Sequence, residues 1–314
     1  MEQDCSRRGL IYGIGAYGLW GLIPIYFRAL DQAKVKPFEV LAHRVVWSFL
    51  LLALIISLWR RWRELGAALR NRSVLLGLLL STALIAVNWL TYIYAVAIHQ
   101  VLQASLGYFI TPLVNVLLGV LFLRERLRPF QVVGILLAAI GVINLGLLSG
   151  TLPWIAMTLA VPFAFYGLLR KTLAVDGLIG LYVETLLLLV PSLACLGWYA
   201  AQGTSALAND DGSTLSLLAL SGIVTTIPLL LFAAAARRLR LSTLGVLQYL
   251  APTVQFLLAV TLFGEPFSTA QLVSFGCIWS AVAVYTFDSL RSYRRQQAEL
   301  LVPPGATPES AETA

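Results

Sequence analysis

The residues best suited to chemistry in this chain are ionisable side chains inside long apolar segments. Arg44 lies within residues 38–59, and Glu184 lies within residues 178–200. A charge at the centre of a membrane-spanning helix costs about 2.5–3.5 kcal/mol on insertion scales, so each needs a partner or a function. Because the two positions are 140 residues apart, the offset of an internal repeat, we predict that they pair and gate a cavity or set its charge preference. The alternatives are a purely structural pair, or side chains that extend to the membrane boundary.

A second group of polar residues follows helical spacing in two other apolar segments. Residues three and four positions apart share one face of a helix. Two such faces carry hydrogen-bonding groups around a proline: Tyr108, Pro112 and Asn115 on one, and Gln248, Pro252 and Gln255 on the other. Lipid would penalise these faces, so we expect the polar side chains to contact a solute in a cavity and the prolines to act as hinges. Tight helix packing through hydrogen bonds is the alternative. Asn88 and Tyr92 are predicted to add an amide and a phenol to the same cavity.

Residue patterns for catalysis or metal binding are missing from the sequence. The two histidines, His43 and His99, have no partners at the spacing of metal ligands. The three cysteines, Cys5, Cys195 and Cys277, form no CxxC motif. An intramembrane enzyme would need a nucleophile with a base, or a metal cluster. We therefore predict a protein that is not an enzyme and has no catalytic residues, metal or cofactor.

Composition and hydropathy identify an integral membrane protein. Charged residues make up 12% of the chain, against about 25% in an ordinary soluble domain, and the mean hydropathy is +0.83. Apolar runs of roughly 20 residues are long enough to cross the hydrocarbon core as helices. The sequence therefore predicts an all-α membrane protein with ten transmembrane helices: residues 10–30, 38–59, 74–97, 103–123, 130–148, 152–169, 178–200, 214–236, 243–263 and 270–289.

Basic residues in the loops predict the orientation. With the N-terminus in the cytoplasm, 18 of the 22 lysines and arginines fall in cytoplasmic segments. Cytoplasmic loops carry the excess of positive charge in membrane proteins, so both termini are predicted to be cytoplasmic. The net charge of +7 follows from this bias and does not indicate nucleic-acid binding.

The chain also contains an internal repeat. Residues 106–131 align without a gap on residues 246–271, with Glu125 on Glu265, but the arginines around Glu125 are absent from the second copy. Five helices per copy is an odd number, so a tandem duplication inverts the second half in the membrane. The predicted organisation is a cytoplasmic N-terminus, two five-helix repeats and a disordered cytoplasmic tail: residues 1–9, 10–148, 152–289 and 290–314.

Several motifs resemble one transporter group. They read NWLTYIYAV at residues 88–96, ASLGYFITPLVNVLLG at 104–119, PFEVLAHRVVWS at 37–48 and QYLAPT at 248–253. These segments resemble the RarD group, within the EamA branch of the drug/metabolite transporter superfamily. The resemblance implies two inverted five-helix halves around a central cavity, in the bacterial inner membrane.

Together these patterns predict an inner-membrane secondary transporter of a small organic metabolite or drug. Rocking of the two halves would expose the cavity alternately to each side. The alternative is a channel-like facilitator, which should show rings of like charge or a filter loop. The expected partners are the solute and the lipid bilayer. The spacing of Gly9 and Gly13 also favours helix association, either within one chain or between two copies in a homodimer.

Overall fold

The fold is helical throughout the part of the chain that the structure describes. The computed structural model describes residues 2–97, 101–148, 154–207 and 212–262, and beyond them residues 272–273, 276–281, 283–284, 287–288 and 291. The helices up to residue 262 are α1 (Glu2–Gln32), α2 (Pro37–Leu58), α3 (Trp62–Arg70), α4 (Arg72–Ala97), α5 (Val101–Leu123), α6 (Pro129–Leu148), α7 (Trp154–Thr172), α8 (Gly177–Ala201), α9 (Ser213–Arg238), α10 (Leu241–Gln248) and α11 (Leu250–Thr261). His99, Glu265 and all of the predicted tail except residue 291 lie outside the described residues.

Long apolar stretches make this a multi-pass membrane protein. Six of the described stretches are long and apolar enough to cross a membrane: Ser6–Phe27, Pro37–Leu58, Arg72–Tyr92, Gly177–Ala201, Ser213–Arg238 and Leu241–Leu258. Two further apolar stretches, Gly107–Leu123 and Pro129–Asn144, are shorter. Large apolar side chains such as Leu121, Leu136 and Val190 are exposed on the outside of the bundle. An apolar surface of this kind would promote aggregation in water, but it is the surface expected of helices that contact lipid.

Eight predicted segments correspond to single helices. α1, α2 and α4 to α9 match the first eight segments to within three residues at either end, except that α1 begins at Glu2, eight residues early. Two local signals explain the helix starts at Pro37 and Pro129, since proline is favoured in the first turn, where its missing N–H is not needed. The tenth predicted segment is described only in part, with residues 276–281 helical.

The ninth predicted segment is not one continuous helix. It divides at Tyr249 into α10 and α11, and the Tyr249 amide donates to the Val246 carbonyl at 3.2 Å, an i→i−3 bond. Pro252 causes this break, because it cannot donate to the carbonyl of Gln248 and its ring would clash with that carbonyl. Pro112 has the matching place in α5, yet α5 continues through it.

One element was missed by the sequence analysis. α3 lies in the basic stretch after α2, which we had interpreted only as a loop. Leu65 and Ala68 are buried and three residues apart, so they form an apolar stripe on this helix. The stripe was overlooked because nine residues are too few to span a membrane.

The connection from α7 to α8 is fixed by one carboxylate. Asp176 caps α8 by accepting from the Leu178 amide at 3.0 Å, and it also accepts from Arg61 Nη1 at 2.8 Å. Partial burial alone would raise the pKa of Asp176, but the hydrogen bonds from Arg61 and Leu178 outweigh it and the pKa lies below its usual value. Arg237 Nη1 lies 4.0 Å from the same side chain.

Helices of the first part of the chain, α1 to α6, pack mainly on helices of the second part, α7 to α11. α1 packs extensively on α9 and on α11, and α5 packs on α7 and on α10. α2 packs on both α8 and α9, and α4 packs on α7. The spacing of Gly9 and Gly13 is used within the chain, since a Cβ at either position would lie within 2.9 Å of Leu239 or Leu247 side-chain atoms.

Candidate solute-binding cavity

A cavity of about 680 Å³ lies between the two parts of the chain. Small-molecule sites in proteins range from about 300 to 1,000 Å³. Its lining comes from helices α1, α2, α4, α5, α7, α9, α10 and α11 and from the connection between α1 and α2: Tyr17, Trp20, Ile23, Pro24, Phe27, Leu30, Val35, Pro37, Val40, Leu41, Arg44, Asn88, Trp89, Tyr92, Tyr108, Phe163, Thr225, Leu229, Gln248, Ala251, Pro252 and Gln255.

Most of the predicted site residues reach this cavity. Seven of the ten line it: Arg44, Asn88, Tyr92, Tyr108, Gln248, Pro252 and Gln255. The other three, Asn115, Pro112 and Glu184, are not among the lining residues. Asn115 is 1% exposed and supports the wall from behind, because its Nδ2 donates to Gln248 Oε1 at 3.0 Å.

The amides of the cavity wall also join the two parts of the chain. Gln255 Nε2 donates to the Trp20 carbonyl at 3.1 Å, and Asn88 Nδ2 donates to the Leu159 carbonyl at 2.8 Å. Helix packing through amides was the alternative interpretation of these residues. In the structure, Gln255 and Asn88 line the cavity and also form hydrogen bonds between helices.

In the described part of the chain, Arg44 is the only cationic residue that lines the cavity. Its Nε donates to Thr225 Oγ1 at 2.9 Å, which links α2 to α9. Its guanidinium lies over the Trp89 ring at 5.2 Å and over the Phe27 ring at 5.7 Å. The two aromatic faces hold the plane of the guanidinium, and such contacts contribute about 0.5–2 kcal/mol each.

The predicted pairing of Arg44 with Glu184 is wrong in this structure. Glu184 lies 3.5 Å from Arg170 Nη1 and accepts hydrogen bonds from Ser81 Oγ at 2.6 Å and Tyr166 Oη at 3.3 Å. Arg170 follows the sixth predicted segment, which ends at residue 169, but in the structure it lies in the last turn of α7 and is buried. α8 presents Glu184 to α4 and α7, so its charge is neutralised there and not in the cavity.

Aromatic side chains close one end of the cavity. Trp20 and Phe163 line it, with ring centroids 5.8 Å apart, and Phe232 lies behind them at 5.7 Å from Trp20 and 5.5 Å from Phe163. Tyr166 stacks on Phe232 at 6.0 Å, and Tyr17 meets it edge-on at 6.2 Å. We call these five residues the aromatic floor. Tyr17, Tyr166 and Phe232 are at most 1% exposed, so no water-sized path passes between them.

Beyond the aromatic floor, one carboxylate fastens the start of α10. Glu125 accepts from the amides of Leu241 at 2.6 Å and Ser242 at 3.1 Å, and from Ser242 Oγ at 2.6 Å. These amides are the unpaired N–H groups of a helix start, which favour a negative charge. Lys171 Nζ donates nearby to the carbonyls of Ala236 and Leu239. We call the contacts of Glu125 with α10 the polar latch.

Sequence reasoning missed Phe27, Phe163 and Trp20 as parts of the site. Each lies in an apolar segment, where an aromatic side chain facing lipid and one facing a cavity look the same. Their ring contacts arise from tertiary packing: Phe27 contacts Tyr92 of α4, and Trp20 contacts Phe163 of α7 and Phe232 of α9. By contrast, a polar side chain in the same segments signals a cavity or an interface, because lipid offers it no partner.

Comparisons with known proteins agree with this architecture. Residues 7–147 match the family described as EamA-like transporter family. An "Uncharacterized transporter" of Vibrio cholerae is 45% identical over 93% of this chain and 96% of its own length. "Protein RarD" of Escherichia coli K12 is 43% identical over 94% of this chain and 99% of its own length. "Chloramphenicol-sensitive protein RarD" of Pseudomonas aeruginosa is 32% identical over 93% of this chain and 97% of its own length.

A solved crystal structure shares the fold. It superposes with a TM-score of 0.69, at 22% identity, over 90% of this chain and 98% of its own length. Two RarD relatives share more than 40% of their residues with this chain over nearly the full length of both proteins. The chain therefore belongs to the RarD group of the EamA family of membrane transporters.

Proposed function

We propose that this protein is a secondary carrier that moves a small organic solute through the cavity by alternating access. The observation that carries the proposal is the difference between the two ends of the helix bundle. The cavity lining reaches Val35 and Pro37, where α1 connects to α2. At the other end, the aromatic floor and the polar latch close it. A carrier needs one closed end at a time, and here each end has its own structure.

The helix packing supports the inverted repeat that alternating access uses. If α1, α4 and α5 correspond to α7, α9 and the pair α10–α11, each contact should have a counterpart. The packing of α1 on α9 then corresponds to that of α7 on α4, and the packing of α5 on α7 to that of α11 on α1. All four contacts are present. With α2 corresponding to α8, the packing of α2 on α9 has its counterpart in that of α8 on α4, and the first of these is more extensive. Two equivalent interfaces that differ in closeness are expected of a molecule captured in one of two related states.

The distribution of basic residues supports a cytoplasmic location for the closed end. The latch end of the bundle carries the stretches 60–72, 124–128 and 237–240, which hold 11 of the 22 lysines and arginines. Under the positive-inside rule, the polar latch lies on the cytoplasmic side of the inner membrane and the cavity faces outward. Both termini are then cytoplasmic.

The break at Tyr249 supplies a point where the wall can bend. Gln248 and Pro252 flank it and line the cavity, so a change of angle between α10 and α11 would alter the cavity wall directly. Release of the polar latch would free the start of α10 for this movement. A channel-like facilitator is disfavoured because the aromatic floor interrupts the path.

Thiol accessibility tests the proposal without a known solute. In a background without Cys5, Cys195 and Cys277, one reporter is Leu41→Cys, in the cavity wall, and the other is Ala236→Cys, which is buried beside Lys171. Each is labelled with a membrane-impermeant maleimide from the outside and from the inside of oriented vesicles. Glu125→Ala then removes the latch.

Alternating access predicts reciprocal changes. In the latch variant, labelling of the Ala236→Cys reporter from the inside should rise while labelling of the Leu41→Cys reporter from the outside falls. The matched control is Glu64→Ala, which removes an exposed carboxylate on α3 and should change neither. If Glu125→Ala raises labelling on the inside with no loss on the outside, the path is a channel and the proposal is wrong. Unchanged labelling of both reporters would also contradict it.

A further inference from the structure

We infer that the solute is an organic anion, which places its acidic group against Arg44 and its apolar body against the aromatic wall of the cavity. The inference rests on the proposed function, since it takes the cavity to be the transport site. It goes further by naming the chemical class that the site selects.

The first step is the missing counter-charge of Arg44. Among the described residues, no carboxylate oxygen lies within 4.0 Å of its guanidinium, and its hydrogen-bond partner is the neutral hydroxyl of Thr225. Among the described residues that line the cavity, none is an aspartate or a glutamate. The cavity therefore carries a net positive charge in a low-dielectric surrounding, where an unpaired charge is expensive.

Arg170, an arginine with a structural role, provides a comparison for the partners of Arg44. Its side chain is 2% exposed, lies 3.5 Å from Glu184 and donates through Nη2 to the Gly177 carbonyl at 2.7 Å. Arg170 thus receives both a counter-charge and a backbone acceptor from the protein. Arg44 receives neither, and it faces a cavity. The missing counter-charge is what a bound anion would supply.

The geometry of the guanidinium fits a planar acidic group. Nε is occupied by Thr225, which leaves the two terminal nitrogens for the cavity. Two parallel N–H groups match the two oxygens of a carboxylate or two oxygens of a phosphate, and charge-assisted bonds of this kind are among the strongest in proteins. The guanidinium carbon lies over the rings of Trp89 and Phe27, and these contacts restrict its position.

The rest of the wall suits an apolar or aromatic body. The rings of Phe27, Tyr92 and Tyr108 form a continuous surface, with centroids 6.5 Å and 6.0 Å apart. Such faces stack on flat or aliphatic groups. A cation would meet the unpaired charge of Arg44, so the same site excludes organic amines. Selectivity arises from this repulsion as well as from the attraction of anions.

Three probes of one shape and different charge test the inference: 3-phenylpropionate, its neutral amide and 3-phenylpropylamine. Binding to the purified full-length chain is followed by tryptophan fluorescence, because Trp20 and Trp89 line the cavity. The carboxylate should bind about 10- to 100-fold more tightly than the amide, as expected for a hydrogen bond to a charged group, and the amine should bind least.

Variants of Arg44 separate recognition from folding. Arg44→Gln should reduce the affinity for the carboxylate to that for the amide while leaving the affinity for the amide within about threefold. Arg44→Lys keeps the charge but loses the planar fork, and it should retain part of the preference. The preserved amide binding shows that the Gln variant is folded. Carboxylate and phosphate ligands are then compared with 3-phenylpropyl phosphate on the same protein.

Three results would overturn the inference. One is equal binding of the amide and the carboxylate to the unmodified chain. Another is a preference for the carboxylate that survives Arg44→Gln, and the third is the failure of all three probes to bind up to millimolar concentration. The reciprocal labelling of the cysteine reporters involves no solute, so the substrate class and the carrier mechanism fail or stand independently.

Discussion

The buried pair of Arg170 and Glu184 gives the sharpest prediction about stability. Glu184→Gln keeps the size of the side chain and an oxygen that accepts the hydrogen bond from Ser81, but it removes the charge that faces Arg170. Both side chains of the pair are 2% exposed, so solvent does not screen the arginine once its partner is neutral. Loss of one member of a buried ion pair costs about 3–5 kcal/mol. We expect the free energy of unfolding to fall by about that amount.

Removing both charges should cost less than removing one. In the double variant Arg170→Met with Glu184→Leu, no buried charge is left without a partner, and apolar replacements of similar volume are often nearly neutral. The main remaining cost is the phenol of Tyr166, which loses its acceptor, at about 1–3 kcal/mol. The Gly177 carbonyl also loses its bond from Arg170, whereas Ser81 Oγ still donates to the Leu78 carbonyl at 3.0 Å. The double variant should therefore be more stable than Glu184→Gln. This order of stabilities is opposite to the one expected if the two side chains contributed independently.

Unfolding of the purified protein by SDS in mixed micelles measures these differences. The control is Glu64→Gln. The Glu64 carboxylate pairs with Arg61, but its side chain is 53% exposed, so no change in stability outside the error of the measurement is expected. If Glu184→Gln lowers the stability by less than about 1 kcal/mol, as for an exposed pair, the interpretation of a desolvated ion pair is refuted.

Three further predictions use single positions. Gly222→Ala should destabilise the protein by about 1–3 kcal/mol, because a Cβ there would lie 2.7 Å from the backbone carbonyl carbon of Trp47 and force α2 and α9 apart. The control is Gly197→Ala, which has open space around its Cβ and should be at least as stable as the unmodified protein in the same SDS titration. Gly180→Ala should lose about as much stability as Glu184→Gln, since its Cβ would occupy the place of the Arg170 guanidinium, and a loss near zero would show that the arginine relocates at no cost. Asp176→Ala should cost about 0.5–2 kcal/mol through loss of the α8 cap, whereas Asp176→Asn keeps a capping oxygen and should cost less. The pKa of Asp176 is lower in the folded state than the unfolded value of about 3.9, so its charge stabilises the folded protein above about pH 3.9, and this stabilisation is lost as the pH falls through the folded pKa. The SDS midpoint of the unmodified protein should therefore drop in this acid range more than the midpoint of Asp176→Asn. Parallel pH profiles of the two proteins would contradict the assignment.

The sequence predicted the helices well because the membrane makes their signal strong. A helix must satisfy its own backbone in lipid, so a long apolar run predicts both the element and its length. The break before Pro252 was harder to predict, since Pro112 has the equivalent position in the repeat and α5 stays continuous. The difference lies in tertiary contacts. The Pro112 carbonyl packs against Gly245, where a Cβ would approach it to 2.8 Å, and this contact supports α5.

The candidate site was predictable to the extent that polar residues mark it. Amides and phenols in apolar segments identified the cavity wall at Tyr108, Gln248 and Gln255. The aromatic floor and the polar latch were not predicted. Glu125 was visible in the sequence only as a repeated carboxylate in a basic loop, because its partners are backbone amides of a helix that begins 116 residues later. Backbone amides carry no sequence signal.

The two arginines within the helix bundle show which physical quantity decides the role of a charged residue in a membrane protein. From the sequence, Arg44 and Glu184 were the expected pair because they occupy equivalent positions in the repeat, and Arg170 lay just beyond the sixth predicted segment. The structure exchanges the partners: Glu184 neutralises Arg170, and Arg44 is left with a hydroxyl and two aromatic rings. A charge that the fold neutralises contributes to stability, and its loss should be measured in unfolding. A charge that the fold leaves without a counter-ion beside a cavity contributes to binding instead. Arg44→Gln should therefore change ligand preference much more than stability, and Glu184→Gln should do the opposite.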